Sequence, residues 1–213
     1  MNSRRIWGSL ILIYGLFFFW YTSFGGPLTP AEIDEYIGRL ETRGAAPEEL
    51  MRLREFLESD TGDDFVMMNV IQLKDTPVAV PGISPGESSA EVLERYMAYM
   101  WPALLSRACH PVIMGQAAAQ ALDVWGIDGH GRWSQAAFMR YRSRRDLLEI
   151  AGNPDFQDPH EFKIAAMART IAFPADPWFH AGDPRLLLAL LLTLLGLLLD
   201  RLVGRAPRGR SGA

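Results

Sequence analysis

The sequence predicts an α+β protein. A ferredoxin-like domain of order βαββαβ occupies 65–176, with an apolar segment at each end of the chain and a helical hairpin before the domain. Three observations predict it. Residues 65–73 are nearly continuous in apolar side chains, as in a strand covered on both faces. The stretch 133–174 reads strand, helix, strand, with capping residues between the runs. Uncharged apolar runs stand at 6–24 and 186–199.

Taken in order, residues 1–24 form the first membrane anchor. The 19 residues of 6–24 carry no charge and span roughly the 30 Å hydrocarbon core as a helix. Trp7, Trp20, Tyr21 and Phe24 sit near its ends, where amphipathic rings prefer the interface. A cleaved signal peptide is the competing reading, with Ser23-Phe24-Gly25 as a weak cleavage site, but the run is longer and bulkier than a signal core. Residues 25–64 form the hairpin. Thr29-Pro30-Ala31-Glu32 has the spacing of a capping box, and Ile33, Tyr36, Ile37 and Leu40 make one face. Gly44 stops that helix, Pro47 opens the next, and Leu50, Leu53, Phe56 and Leu57 form a matching stripe.

The domain begins at Phe65. After a Pro- and Gly-rich loop, Ser88 and Glu91 cap a helix with Val92, Tyr96, Tyr99 and Met100 inward, kinked or ended by Pro102. A second strand starts at His110 and extends toward Trp125, and a turn over 126–132 leads into the third strand at Trp133. Ser143 caps the next helix through Asp146, and Gly152 and Asn153 end it. Asp158-Pro159-His160-Glu161 opens another helix, and 170–174 forms the last strand. Residues 177–204 hold the second membrane segment. Its core, 186–199, is 14 residues of nearly pure Leu, extended by Val203 and by snorkelling Arg185 and Arg201. A buried helix of a soluble protein is the alternative, but one apolar all round needs a large core.

Net charge −4 conceals an asymmetry. Residues 25–184 hold 14 Lys/Arg against 24 Asp/Glu, a net −10, whereas the flanks hold 7 Arg against Asp200 alone. The acidic body argues against a nucleic-acid partner. Arg4 and Arg5, with Arg201, Arg205, Arg208 and Arg210, place both termini, including the basic tail 205–213, in the cytoplasm of an inner or plasma membrane. The soluble domain is then extracytoplasmic. The single Cys109 excludes an intramolecular disulfide and a multi-Cys metal site.

Asn69, Tyr96 and Tyr99, and the run Arg140-Tyr141-Arg142-Ser143 leading to Asn153-Pro154-Asp155-Phe156, resemble domain-of-unknown-function family 1330. That family belongs to the dimeric α+β-barrel group, with the EthD-like and antibiotic-biosynthesis monooxygenase proteins. The likeness covers 65–174. It departs at Cys109-His110, where relatives often carry two glycines, and at Arg142, where they often carry proline. The resemblance implies a homodimer with two sheets face to face, and no settled reaction.

Candidate ligand-binding residues are Asn69, Tyr99, His110 and Arg140, each with a structural alternative: a loop-bonded amide, a core phenol, an ordinary strand histidine and an ion-paired arginine. His110, His130, His160 and His180 lack metal-ligand spacing, so no metal or cofactor is expected. Cys109 beside His110 is a weak nucleophile signal, because neighbouring strand residues point to opposite faces. No triad, phosphate loop or dinucleotide fingerprint occurs, and the catalytic residues stay unknown. Two readings remain: a membrane-held dimer that binds a small apolar ligand or a partner protein, or a cofactor-independent monooxygenase- or isomerase-like enzyme. Convergence of His110 or Asn69 with Tyr99 or Arg140 in one pocket would favour the enzyme.

Overall fold

The computed structural model describes residues 2–126, 132–153 and 157–205, without the side chains of 157–159, 204 and 205. Residues 127–131 of the 126–132 turn, His130 among them, the Pro154-Asp155-Phe156 run and the tail with Arg208 and Arg210 lie outside the described residues. So does the expected capping side chain of Asp158. In chain order the elements are α1 (Ser3–Tyr21), α2 (Pro30–Thr42), α3 (Pro47–Glu58), β1 (Phe65–Leu73), α4 (Ser89–Ser106), β2 (His110–Gln116), β3 (Gln135–Tyr141), α5 (Arg144–Ala151), α6 (Gln157–Ala166), β4 (Met167–Ala175) and α7 (Pro184–Arg205). They divide into two units, Ser23–Pro177, and Met1–Thr22 with Trp178–Ala213.

The first unit is built on a four-stranded sheet of order β2-β3-β1-β4, antiparallel throughout. With α4 between β1 and β2, and α5 and α6 between β3 and β4, this is the ferredoxin-like arrangement that the sequence predicts. Register fixes the faces. Phe65 lies opposite Tyr141, Met67 opposite Met139, and Asn69 opposite Ala137 on one side and Ala172 on the other. These residues face the helices, and Phe65, Met139 and Tyr141 join Met100, Leu104 and Ile150 in the main core. Phe65 and Tyr141 stack at 5.4 Å and 11°.

Strand alternation sends Val66, Met68, Val70, Phe138, Ile171 and Phe173 to the other face, where Ile171 and Phe173 are exposed. Several boundaries differ from the sequence reading: β3 starts at Gln135 rather than Trp133, and β4 spans Met167–Ala175 rather than 170–174. β2 stops at Gln116 because the chain continues into alanines, which suit strands poorly. Helix α4 runs through Pro102 to Ser106, so the proline costs a hydrogen bond without ending the helix.

The capping boxes form as expected. Thr29 Oγ1 accepts from Glu32 N at 3.3 Å while Glu32 Oε2 accepts from Thr29 N at 2.8 Å. Ser88 and Glu91 repeat the pattern. Ser143 Oγ accepts from Asp146 N at 3.1 Å, and Arg142 braces Asp146 at 2.7 Å. The hairpin packs on the domain through Leu28, Ile33, Ile37 and Leu57 against Leu148. Its anchor is Asp60, whose carboxylate accepts from Leu28 N at 2.8 Å and Gly62 N at 3.0 Å. Arg144 Nε lies 3.4 Å from the same carboxylate, and both side chains are buried. Gly62 (φ +85°) is required there, since a Cβ would sit 2.6 Å from the Gly26 backbone.

A more exposed pair, Arg145 Nε with Glu32 Oε1 at 2.8 Å, adds a tether. The Arg145 hydrogen bond, then those from Thr29, push the Glu32 carboxyl down to about 2 from its ordinary 4.5. A depressed carboxylate stabilises above its unfolded pKa and loses that contribution as pH falls through the folded one. Glu32→Gln should therefore cost under about 1 kcal/mol at neutral pH. The cost should vanish between pH 4.5 and about 2, as acid melts of the two proteins would read.

In the second unit, α1 and α7 pack antiparallel. Trp7 Nε1 donates to Asp200 Oδ2 at 2.7 Å near one end, and the Arg185 guanidinium lies 5.4 Å from the centre of the Tyr21 ring near the other. Gly196 leaves room for Trp7, since a Cβ there would sit 2.7 Å from the indole. Among the described residues one helix is long and apolar enough to cross a membrane. It is Pro184–Val203, 20 residues of mean hydropathy 2.4, and 6% of it is buried. The expectation of two spans is met by this helix alone: α1 starts at Ser3, so Arg4 and Arg5 occupy its first turn, and it ends at Tyr21 rather than Phe24. Trp178 and Phe179, just before α7, are exposed.

Candidate ligand cavity

Between the sheet and helices α4, α5 and α6 lies a cavity of about 520 Å³, closed at one side by Leu40 and Arg43 of the hairpin. That volume falls in the range of small-molecule sites, roughly 300–1,000 Å³. Met67, Met100, Leu147 and Ile150 supply apolar lining, and Asn69, Tyr96, Tyr141, His160 and Lys163 supply polar groups. The elements explain each placement. Asn69 and Tyr141 share the helix-facing side of adjacent strands, and His160 and Lys163 stand three apart on one face of α6.

The polar groups are largely uncommitted. Asn69 Nδ2 donates to the Met67 and Ala137 carbonyls, both at 3.0 Å, which fixes the amide and leaves Oδ1 without a partner among the described residues. Neither Tyr96 nor Tyr141 uses its hydroxyl in a hydrogen bond among the described residues. Lys163 Nζ lies 5.9 Å from the Tyr96 ring centre and has no carboxylate partner among them. His160 meets the Tyr96 ring edge-on, with centroids 6.2 Å apart. Burial raises both phenols above their ordinary range and lowers the Lys163 ammonium below its own. Desolvation, then the Lys163 charge, lower His160. The tyrosines therefore stay protonated donors, while the lysine is a cation short of solvation.

Of the four residues singled out from sequence, Asn69 alone lines this cavity. Arg140 is on the opposite sheet face, paired across from Val66 and His110. It is 2% exposed, and it donates Nε to Asp64 at 2.7 Å and Nη1 to the Ala108 carbonyl at 2.8 Å. His110 begins the edge strand on that same face, with Nδ1 2.9 Å from the Pro111 carbonyl oxygen. Tyr99 points off the buried stripe of α4 and is 53% exposed. The convergence that would have favoured an enzyme does not occur. Tyr96 takes the place of Tyr99, while Lys163 and Tyr141 are the residues the sequence reading passed over.

Cys109 is fully buried, donates to the Arg107 carbonyl at 3.6 Å and accepts from Arg142 N at 3.5 Å. Burial pushes its thiol up to about 11. A thiol so placed is inert. Folded protein at pH 8 should leave a thiol-reactive dye unreacted over hours, and denaturant should release one equivalent; prompt labelling of the folded chain would refute this.

No protein-family model matches the sequence, and no characterised protein resembles it closely enough in sequence to count as a relative. Among solved structures, the fold is similar to that of a protein of unknown function from Rhodopseudomonas palustris. The two are 18% identical, with a TM-score of 0.50 over 63% of this chain and 95% of that one. A methylated form of that protein superposes at 0.52, also at 18% identity, over 65% and 96%. A protein assigned to the antibiotic-biosynthesis monooxygenases, from Bacteroides thetaiotaomicron, reaches only 0.30 at 14% identity, over 56% and 93%, too loose to bear on this chain. What these likenesses establish is a fold: the chain carries a ferredoxin-like α+β domain.

Proposed function

We propose that this protein is a membrane-held dimeric module that binds a small, largely apolar ligand in the cavity between its sheet and helices. The observation that carries the reading is the cavity itself: apolar walls and several convergent polar groups without partners among the described residues. In this reading α1 and α7 cross the inner or plasma membrane as a pair. The Trp7–Asp200 bond satisfies an acid that hydrocarbon would otherwise penalise, and the Arg-bearing flanks stay cytoplasmic. The exposed apolar side of the sheet, with Ile171 and Phe173, supports pairing with a second copy. So does the resemblance of Asn69, Tyr96 and Arg140-Tyr141-Arg142-Ser143 to family 1330.

The ligand reading is tested by mass spectrometry of small molecules released on denaturing the detergent-extracted protein. A stoichiometric apolar compound is expected; nothing above the detergent blank would sink it. Orientation is tested with a reporter active only outside the cytoplasm. It should be active when inserted in the 75–87 loop and silent after Ala213. An active C-terminal fusion would show that α7 does not cross. A second reading, a cofactor-independent monooxygenase- or isomerase-like enzyme, is favoured by Lys163, whose lowered pKa leaves more free amine for proton abstraction than an ordinary lysine has. Chemical conversion of the released compound by the purified protein, abolished in Lys163→Met, would select it.

A further inference from the structure

The polar groups of the cavity have a sign. Residues 25–184 carry a net −10, with 24 Asp and Glu. Yet among the described lining residues there is no carboxylate, while two cations, Arg43 and Lys163, are present. Arg43 spends one nitrogen on the Gly152 carbonyl at 3.1 Å, and no carboxylate pairs with it among the described residues. Lys163 is half-buried beside the Tyr96 ring, again without an acidic partner among them. A partly desolvated cation without a counter-ion is an arrangement that a bound anion relieves. The two tyrosines add hydroxyl donors, while Met67, Met100, Leu147 and Ile150 suit an apolar body.

Resting on the cavity reading above, we propose that the ligand is a compact apolar monocarboxylate whose acidic group is held by Lys163 Nζ and the hydroxyls of Tyr96 and Tyr141, with its hydrocarbon part against Met67, Met100 and Ile150. A carboxylate takes up the lysine's unused donors, and the phenols donate to its oxygens. A cationic ligand would meet Lys163 and Arg43 with no acid to receive it, and a neutral one would leave the ammonium unpaired. Asn69, its Nδ2 held by the sheet, presents an acceptor; it suits a hydroxyl or amide hydrogen elsewhere on the ligand and does not serve the acid.

The test uses the full-length protein in lipid nanodiscs, titrated with 2-naphthoate and with its uncharged isostere 2-naphthamide, empty nanodiscs serving as the partition control. Naphthoate should bind at least about tenfold more tightly than the amide. Lys163→Met should remove that preference by weakening naphthoate alone, and Lys163→Arg should keep most of it. Equal binding of acid and amide by the unmodified protein overturns the anion inference while leaving the cavity reading intact. Failure of both probes to bind overturns the two together. Retention of the full preference in Lys163→Met, with the variant melting like the parent, overturns the assignment of Lys163.

Discussion

Replacing Asp60 by alanine is expected to destabilise the protein by about 3–5 kcal/mol, as when one member of a buried ion pair is removed. The carboxylate is 3% exposed and has three partners: the Leu28 and Gly62 amides and the Arg144 guanidinium. Its loss strands a buried cation and two backbone donors at once. Arg144 is further committed to the Phe56 carbonyl, to Ser59 Oγ at 2.8 Å and to the Phe56 ring face at 4.2 Å, so it cannot swing out to water without dismantling that contact. The effect should reach the cavity as well, since the hairpin that Asp60 anchors supplies Leu40 and Arg43. Denaturant melts of Asp60→Ala should show the loss. A change under about 1 kcal/mol would mean that the apolar contacts with Leu148 dock the hairpin unaided.

Arg140→Ala should cost about 3 kcal/mol or more, and should do so without touching ligand binding. The guanidinium closes the far side of the sheet: it joins Asp64, just before β1, to the Ala108 carbonyl just before β2. Ala108 holds a left-handed conformation, φ 55°, so its carbonyl is aimed by a strained turn that depends on that partner. Asp64 is 23% exposed, which keeps the expected cost at the lower end of the buried range. A folded Arg140→Ala variant at unchanged stability that had lost ligand would return Arg140 to the binding role first considered for it.

Much of the fold was legible because local chemistry and burial agreed. The capping residues Thr29, Ser88 and Ser143, the stop at Gly44 and the apolar run of β1 each carry their own physical signature, and the structure uses every one. The cavity was less legible for a definite reason. Asn69 and Arg140 look like partners in sequence, but the register that sets Asn69 opposite Ala137 gives the helix-facing side to 137, 139 and 141. Arg140 therefore points away and Tyr141 points in. Only pairing across β1 and β3 decides this, and a single chain of letters does not contain it.

The spacing along α4 separates Tyr96 from Tyr99. Val92, Tyr96, Met100 and Leu104 recur every fourth residue along α4, and Tyr99 falls off that line. Lys163 carried a weaker signal, its spacing of three from His160 on α6. A lysine on a short helix most often faces water, and nothing local announces the tyrosines that β3 and α4 bring over it.

The central claim is that the cavity, and not some other surface, holds the ligand. Its most direct test is native mass spectrometry of the detergent-extracted protein beside Ala172→Phe. Ala172 lines the cavity from β4, opposite Asn69, so a phenyl group there fills the ligand's space from an exposed position that can accept it. The unmodified protein is predicted to appear as a dimer carrying a small-molecule adduct on each chain, and Ala172→Phe as the same dimer without it. Equal adduct occupancy in both, from proteins that melt alike, would contradict the account.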